Sequence, residues 1–132
     1  MQPSSRSDYD PLLRKLKSVT VLPEEEQRAL LGLPMQVVAL RADQDIVREG
    51  DRPSRSCLLI SGFTCTYKLT GQGKRQIVSF NLPGDVPDLQ SLHLRVLDNS
   101  VATISRGRIG VVPDEDLRPG RDRFHRRMAA FW

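Results

Sequence analysis

Histidine is nearly missing from this chain: His93 and His125 are the only two in 132 residues. A His-x-His metal enzyme needs that pair and further ligands on one surface, and two isolated histidines cannot supply them. A lone histidine at the edge of an apolar run, as at His93, is ordinarily structural or solvated, and His125 sits on a basic face. Cysteine is equally sparse. The spacing of Cys57 and Cys65 fits no zinc or iron–sulfur pattern, and both lie in apolar strand-like runs, so buried free thiols are expected. No Ser-His-Asp or Cys-His set and no glycine-rich nucleotide loop stands out, so no enzyme is expected. No apolar stretch approaches the length of a membrane span, and the first residues do not read as a signal peptide, so none is expected. A cytoplasmic protein without membrane contact is the expectation.

What is present is a sequence punctuated by glycine and proline, nine of each. That length bounds it to one domain, or one domain plus part of the next. A disordered polar leader is expected over 1–9. Pro11-Leu12-Leu13-Arg14-Lys15-Leu16 reads as a helix, with Asp10 as N-cap and Pro11 in the first turn. Pro23-Glu24-Glu25-Glu26-Gln27-Arg28-Ala29-Leu30-Leu31 reads as a second, its acids complementing the macrodipole and Gly32 ending it. From Met35 the apolar period changes to two. Strands are predicted over 35–42, 45–48, 57–60, 63–69, 75–80, 100–104 and 108–112, with a Gly71-Gln72-Gly73 hairpin turn. Short strands at this spacing predict an antiparallel barrel or jelly roll with helices at both ends, an α+β but mainly β fold.

Between the strands lies Pro83-Gly84-Asp85-Val86-Pro87-Asp88-Leu89-Gln90-Ser91-Leu92. Pro83-Gly84 is a turn dipeptide. Asp88 can cap a short helix that buries Leu89 and Leu92. A helix start at the mouth of a barrel offers backbone N–H groups to a ligand. Candidate pocket residues are Gly84, Asp85, Asp88, Leu89, Gln90, Ser91, Asn99 and Ser100. Asp85 also reads as a plain turn residue and Asp88 as a plain cap. After Pro113, whose acids start another helical turn, 121–132 reads as an amphipathic helix. Phe124, Met128 and Phe131 share one face, Trp132 ends it, and Arg121, Arg123, Arg126 and Arg127 form the other. A net charge of +4 allows a polyanion partner, but the tail carries no base-reading element.

The series Ile46-Val47-Arg48-Glu49-Gly50-Asp51, Leu59-Ile60-Ser61-Gly62, Gly71-Gln72-Gly73-Lys74-Arg75-Gln76-Ile77 and Pro83-Gly84-Asp85 resembles the cyclic-nucleotide-binding effector domain of the Crp/Fnr transcription regulators. The resemblance covers nearly the whole chain, and it rests on the order and spacing of the motifs. It implies a double-stranded β-helix, or jelly roll, over 10–119. It implies the start of a C-terminal dimerisation helix over 120–132, carrying Phe124, Met128, Phe131 and Trp132. It implies a homodimer, and DNA contact only through a helix-turn-helix half that no stretch of this chain resembles. In the family a Gly-Glu-Leu cassette holds the ribose and the cyclic phosphate, and an Arg-Ser or Arg-Thr pair supplies countercharge. Here Pro87 removes an N–H from the cradle, Asp88 is shorter than Glu, and Leu97-Asp98-Asn99-Ser100 stands where the cation belongs. A carboxylate about 4 Å from a phosphate, at an effective dielectric of about 20, opposes binding by about 4 kcal/mol. No resident cofactor is expected, and cyclic AMP or GMP is disfavoured. Iron–sulfur sensing, which also occurs in the family, needs an N-terminal cysteine cluster that 1–33 lacks. The resulting expectation is the sensor domain of such a regulator with a degenerate phosphate-binding cassette; the alternative is a stand-alone, ligand-free dimerisation or interaction module.

Overall fold

The computed structural model describes residues 2–52, 54–88 and 96–113. A 3₁₀ turn over Arg6–Tyr9 leads into helix α1, Asp10–Val19, and helix α2 follows at Glu24–Leu31. Eight strands complete the described chain: β1 Gln2–Pro3, β2 Gln36–Leu40, β3 Asp45–Val47, β4 Arg55–Ser61, β5 Thr64–Leu69, β6 Arg75–Asn81, β7 Ser100–Thr103 and β8 Gly107–Pro113. They form two four-stranded sheets, ordered β1-β2-β8-β4 and β3-β7-β5-β6. Every pairing is antiparallel. The fold is thus mainly β with two helices.

Alternation along the strands sorts the apolar residues onto two faces of the first sheet. On one face Val37, Leu58, Ile60 and Val112 meet Leu12 and Leu16 of α1, Leu30 of α2, and Tyr9. Leu16 and Leu30 are essentially sealed from solvent, at 0% and 1% exposure, and burial of each contributes about 1.5–3 kcal/mol. On the opposite face Leu40, Cys57, Leu59, Ile109 and Val111 form a second cluster, turned toward the other sheet. That sheet contributes a more polar set. Thr64, Thr66 and Asn81 are all buried, and the Asn81 amide donates to Thr66 Oγ1 at 3.2 Å. Both thiols are free and buried.

Three expectations need correction. Residues 2–9 are not a loose leader. Gln2 and Pro3 pair with Val37 and Gln36, the Tyr9 hydroxyl donates to the Leu33 carbonyl at 2.7 Å, and Arg108 reaches the Asp8 carboxylate at 2.9 Å. The physical reason is long range: these partners come from β2, β8 and the α2 exit, which local polarity does not reveal. Asp10 lies inside α1, and the cap position falls to Tyr9, because the 3₁₀ turn feeds directly into the helix. Pro113 is the last residue of β8, opposite Arg55 of β4, and so does not itself stand in the first turn of a helix; the rest of that expected turn, 114–117, lies outside the described residues. The predicted helix of 121–132, with Phe124, Met128, Phe131 and Trp132, lies outside the described residues.

Candidate functional site

The cassette stretch leaves β6 through a tight turn that is fastened on three sides. Gly84 N–H donates to the Leu59 carbonyl at 2.8 Å, and Leu59 N–H returns a bond to the Asp85 carbonyl at 2.9 Å. One Asp85 carboxylate oxygen accepts from Leu82 N–H at 2.8 Å. The other pairs with the Lys15 ammonium of α1. Gly84 has φ +99° and lies so close to α1 that an added Cβ would stand 2.6 Å from the Pro11 carbonyl oxygen. Gly84 and Asp85 therefore face the helix layer. What they do is hold the cassette onto β4 and α1.

Asp88 takes the next position, and its place differs. It is 3% exposed, and its Oδ1 accepts the backbone N–H of Cys57 at 2.9 Å, across 31 positions of sequence. This bond straps the cassette to the start of β4. Pro87 and Asp88 line a small void with Thr64, Val101 and Ile109, of about 10 Å³, space for about one water at most. Thr64 Oγ1 is buried there without a hydrogen-bond partner among the described residues. Leu89, Gln90, Ser91 and Leu92 lie outside the described residues, as does the helix that Asp88 was expected to cap.

Downstream, two backbone bonds fix the return of the chain: Leu97 N–H to the Asp51 carbonyl at 3.0 Å, and Gly50 N–H to the Leu97 carbonyl at 2.9 Å. With Leu97 buried, Asp98 turns outward and is exposed. The residue adjoining buried Ser100 is Asn99, whose Oδ1 is buried without a hydrogen-bond partner among the described residues. The Ser100 hydroxyl accepts from Glu49 N–H at 2.8 Å. The Asn99–Ser100 pair thus offers a neutral amide and an engaged hydroxyl.

Beside it lies a charged cluster that sequence reading missed. Asp45 accepts from the Tyr67 hydroxyl at 2.7 Å and from Arg48 Nε at 3.1 Å, and faces Arg75 at 3.8 Å. The Arg75 guanidinium lies 4.3 Å from the Tyr67 ring centroid, within cation–π range. Burial, then the hydrogen bond to Asp45, raises the Tyr67 hydroxyl above its ordinary pKa. The alternation of 63–69 does place Tyr67 in a strand, but no local signal pairs it with Asp45 or Arg75. Among the described residues no group of three or more His, Cys, Asp or Glu side chains could hold a metal ion. Nor is any described helix long and apolar enough to cross a membrane.

Comparison with known proteins agrees with this architecture. No curated protein sequence matches the chain. Among solved structures, the regulatory domain of Toxoplasma gondii PKA with cAMP is similar at TM-score 0.68 and 20% identity, over 86% of this chain and 44% of that one. The N-terminal domain of a transcriptional regulator from Streptomyces coelicolor A3(2) matches at TM-score 0.66 and 16% identity, over 96% of this chain and 84% of that one. FixK2 from Bradyrhizobium japonicum matches at TM-score 0.66 and 25% identity, over 75% and 52% of the two chains. The chain thus spans about half or less of the Toxoplasma and Bradyrhizobium chains it resembles. The family model for the cyclic nucleotide-binding domain matches residues 37–121, more than half of the sequence and all the described strands from β3 onward. With the sheet order, the glycine turns and this match together, the chain belongs to the cyclic nucleotide-binding domain family.

Proposed function

We propose that this chain is the effector domain of a Crp/Fnr-like transcription regulator whose phosphate-binding cassette does not hold ordinary cyclic AMP or GMP. The two sheets would be the walls of the family's jelly roll. The residues after β8 would continue into a helix that pairs with a second copy, and DNA would be read by a helix-turn-helix half beyond this sequence. Support for the regulator reading comes from the likeness to the N-terminal domain of a transcriptional regulator over 96% of this chain.

The observation that carries the pocket reading is Asn99–Ser100. A cyclic phosphate brings one negative charge, and a buried charge needs a paired countercharge. At this position the Asn99 carbonyl oxygen is already buried without a donor among the described residues, and an anion beside it would add a second unsatisfied acceptor. The Ser100 hydroxyl is held by Glu49. Whatever effector acts would shift a two-state equilibrium in the placement of the DNA reader, through differential affinity for the two states.

Calorimetric titration with cyclic AMP and with cyclic GMP tests the pocket. No binding is expected at micromolar concentration, and micromolar binding of either would overturn the degenerate-cassette reading. The regulator reading is tested apart from it, by whether the coding sequence continues into a helix-turn-helix; a stop after Trp132 would instead favour a stand-alone interaction module.

A further inference from the structure

A large space in the described fold lies away from the cassette turn. It is a cavity of about 580 Å³, within the range of small-molecule sites. One wall is the sheet face toward the interior: Val38, Leu40, Cys57, Ile109 and Val111. The other is Ile46 and Val47 of β3. The floor is thus wholly apolar, and no cassette residue lines it among the described residues. Ile46, Val47, Cys57 and Ile109 also line the small void under Asp88, so the two spaces share a wall.

The rim is charged, and its charges are not equivalent. Asp45 is already engaged by Tyr67, Arg48 and Arg75. Asp51 accepts the Arg48 backbone N–H at 2.9 Å. Gln44 Oε1 accepts Arg41 N–H at 3.1 Å. Arg52, from the loop between β3 and β4, and Arg55, the first residue of β4, also line the mouth. Both are exposed, and among the described residues neither has an ion-pair partner. Asp45 is ion-paired and one Asp51 oxygen is taken by a backbone N–H, while both guanidiniums are without an ion pair among the described residues. A guanidinium is built for bidentate contact with a carboxylate or similar oxyanion.

We propose that this cavity is a binding site for a small amphiphile with an apolar body and a single acidic head. The body fills the space over Val38, Leu40 and Ile109, and Arg52 and Arg55 hold the head at the rim. The site stands whether or not the chain serves a DNA reader. It also explains how a domain with a neutral Asn99–Ser100 pair could still sense a ligand: a molecule seated against Cys57 and Ile109 presses on the wall it shares with the Asp88 void.

The test is calorimetric titration of the full chain with decanoate and with 2-naphthoate, which present a chain and a ring behind the same head group. At least one is expected to bind more tightly than about 1 mM. Arg52→Gln with Arg55→Gln is expected to weaken that binding about 10-fold or more, with an unchanged melting temperature because both side chains are exposed. The Arg52→Lys, Arg55→Lys pair should retain most of it. Val38→Trp should block it by filling the space. The proposal is overturned if neither acid binds below about 1 mM, if decan-1-ol binds as tightly as decanoate, or if the glutamine pair binds like the native chain. Since cyclic nucleotides are not the probes, this outcome is independent of the titrations that test the cassette.

Discussion

Replacing Gly84 by alanine separates a structural role for the cassette turn from a role in holding a ligand. Gly84 has φ +99°, a conformation that opposes an L side chain by about 1–2 kcal/mol. An added Cβ would also approach the Pro11 carbonyl oxygen to 2.6 Å and Lys15 Cβ to 3.1 Å. The first neighbour is helix backbone, which cannot swing aside, so α1 or the turn must shift, at about 1–3 kcal/mol. The two effects together give a loss of about 3 kcal/mol, a large part of a typical domain stability of about 5–15 kcal/mol. With a urea slope of about 1.5 kcal/mol/M, the unfolding midpoint should fall by about 2 M. Gly73→Ala is the internal control. Gly73 has φ +79° with nothing within 4 Å of the added Cβ, so it carries the backbone strain alone, about 1–2 kcal/mol. The assay is urea denaturation of the three proteins without any ligand. If Gly84→Ala loses no more stability than Gly73→Ala, the packing of the turn against Pro11 is refuted, and a ligand role for Gly84 returns.

Two further outcomes follow from the surface and from Asp8. The Ser5 backbone N–H, and after it Arg108, hold the buried Asp8 carboxyl below its ordinary pKa despite the opposing effect of burial. A depressed carboxylate pKa stabilises the fold above the unfolded value and loses that contribution as pH falls through the folded one. The stability advantage of the native chain over Asp8→Asn should therefore be constant near neutrality and shrink below pH 3.8; a gap that persists unchanged into acid would remove Asp8 as its source. Strand β6 is an edge strand with Ile77, Val78 and Phe80 at 50%, 57% and 65% exposure, an arrangement that invites pairing with another chain. Phe80→Lys is expected to lower self-association at high concentration in sedimentation while changing stability by no more than about 0.5 kcal/mol. Undiminished association in that variant would place the contact elsewhere.

Local pattern was enough to locate most elements. The apolar spacing of Leu12 and Leu16 marks α1 because a helix buries one stripe. Period-two runs such as 63–69 mark strands because a pleated strand alternates its faces. The Gly71-Gln72-Gly73 turn and the Pro83-Gly84 turn are equally legible, since both need backbone freedom that glycine provides. These are short-range effects, written in neighbouring residues.

The candidate site was legible only in outline. Sequence order places Asp85 after a turn, yet its tie to Lys15 spans 70 positions. Asp88 reads as a cap, yet its carboxylate meets Cys57. Leu97 is buried while Asp98 is exposed and Ser100 buried, a sorting that the residue order alone does not give. The cavity mouth at Arg52 and Arg55 has no periodic signature at all, because its walls are drawn from β2, β3, β4 and β8. Sequence by itself thus determined α1, α2, the strands β2 to β8, the turns and the family resemblance, which depend on local propensity and motif order. Which carboxylates are occupied, which cations stay available and where space remains were decided only by the tertiary structure, because each depends on partners that the chain brings together across the two sheets.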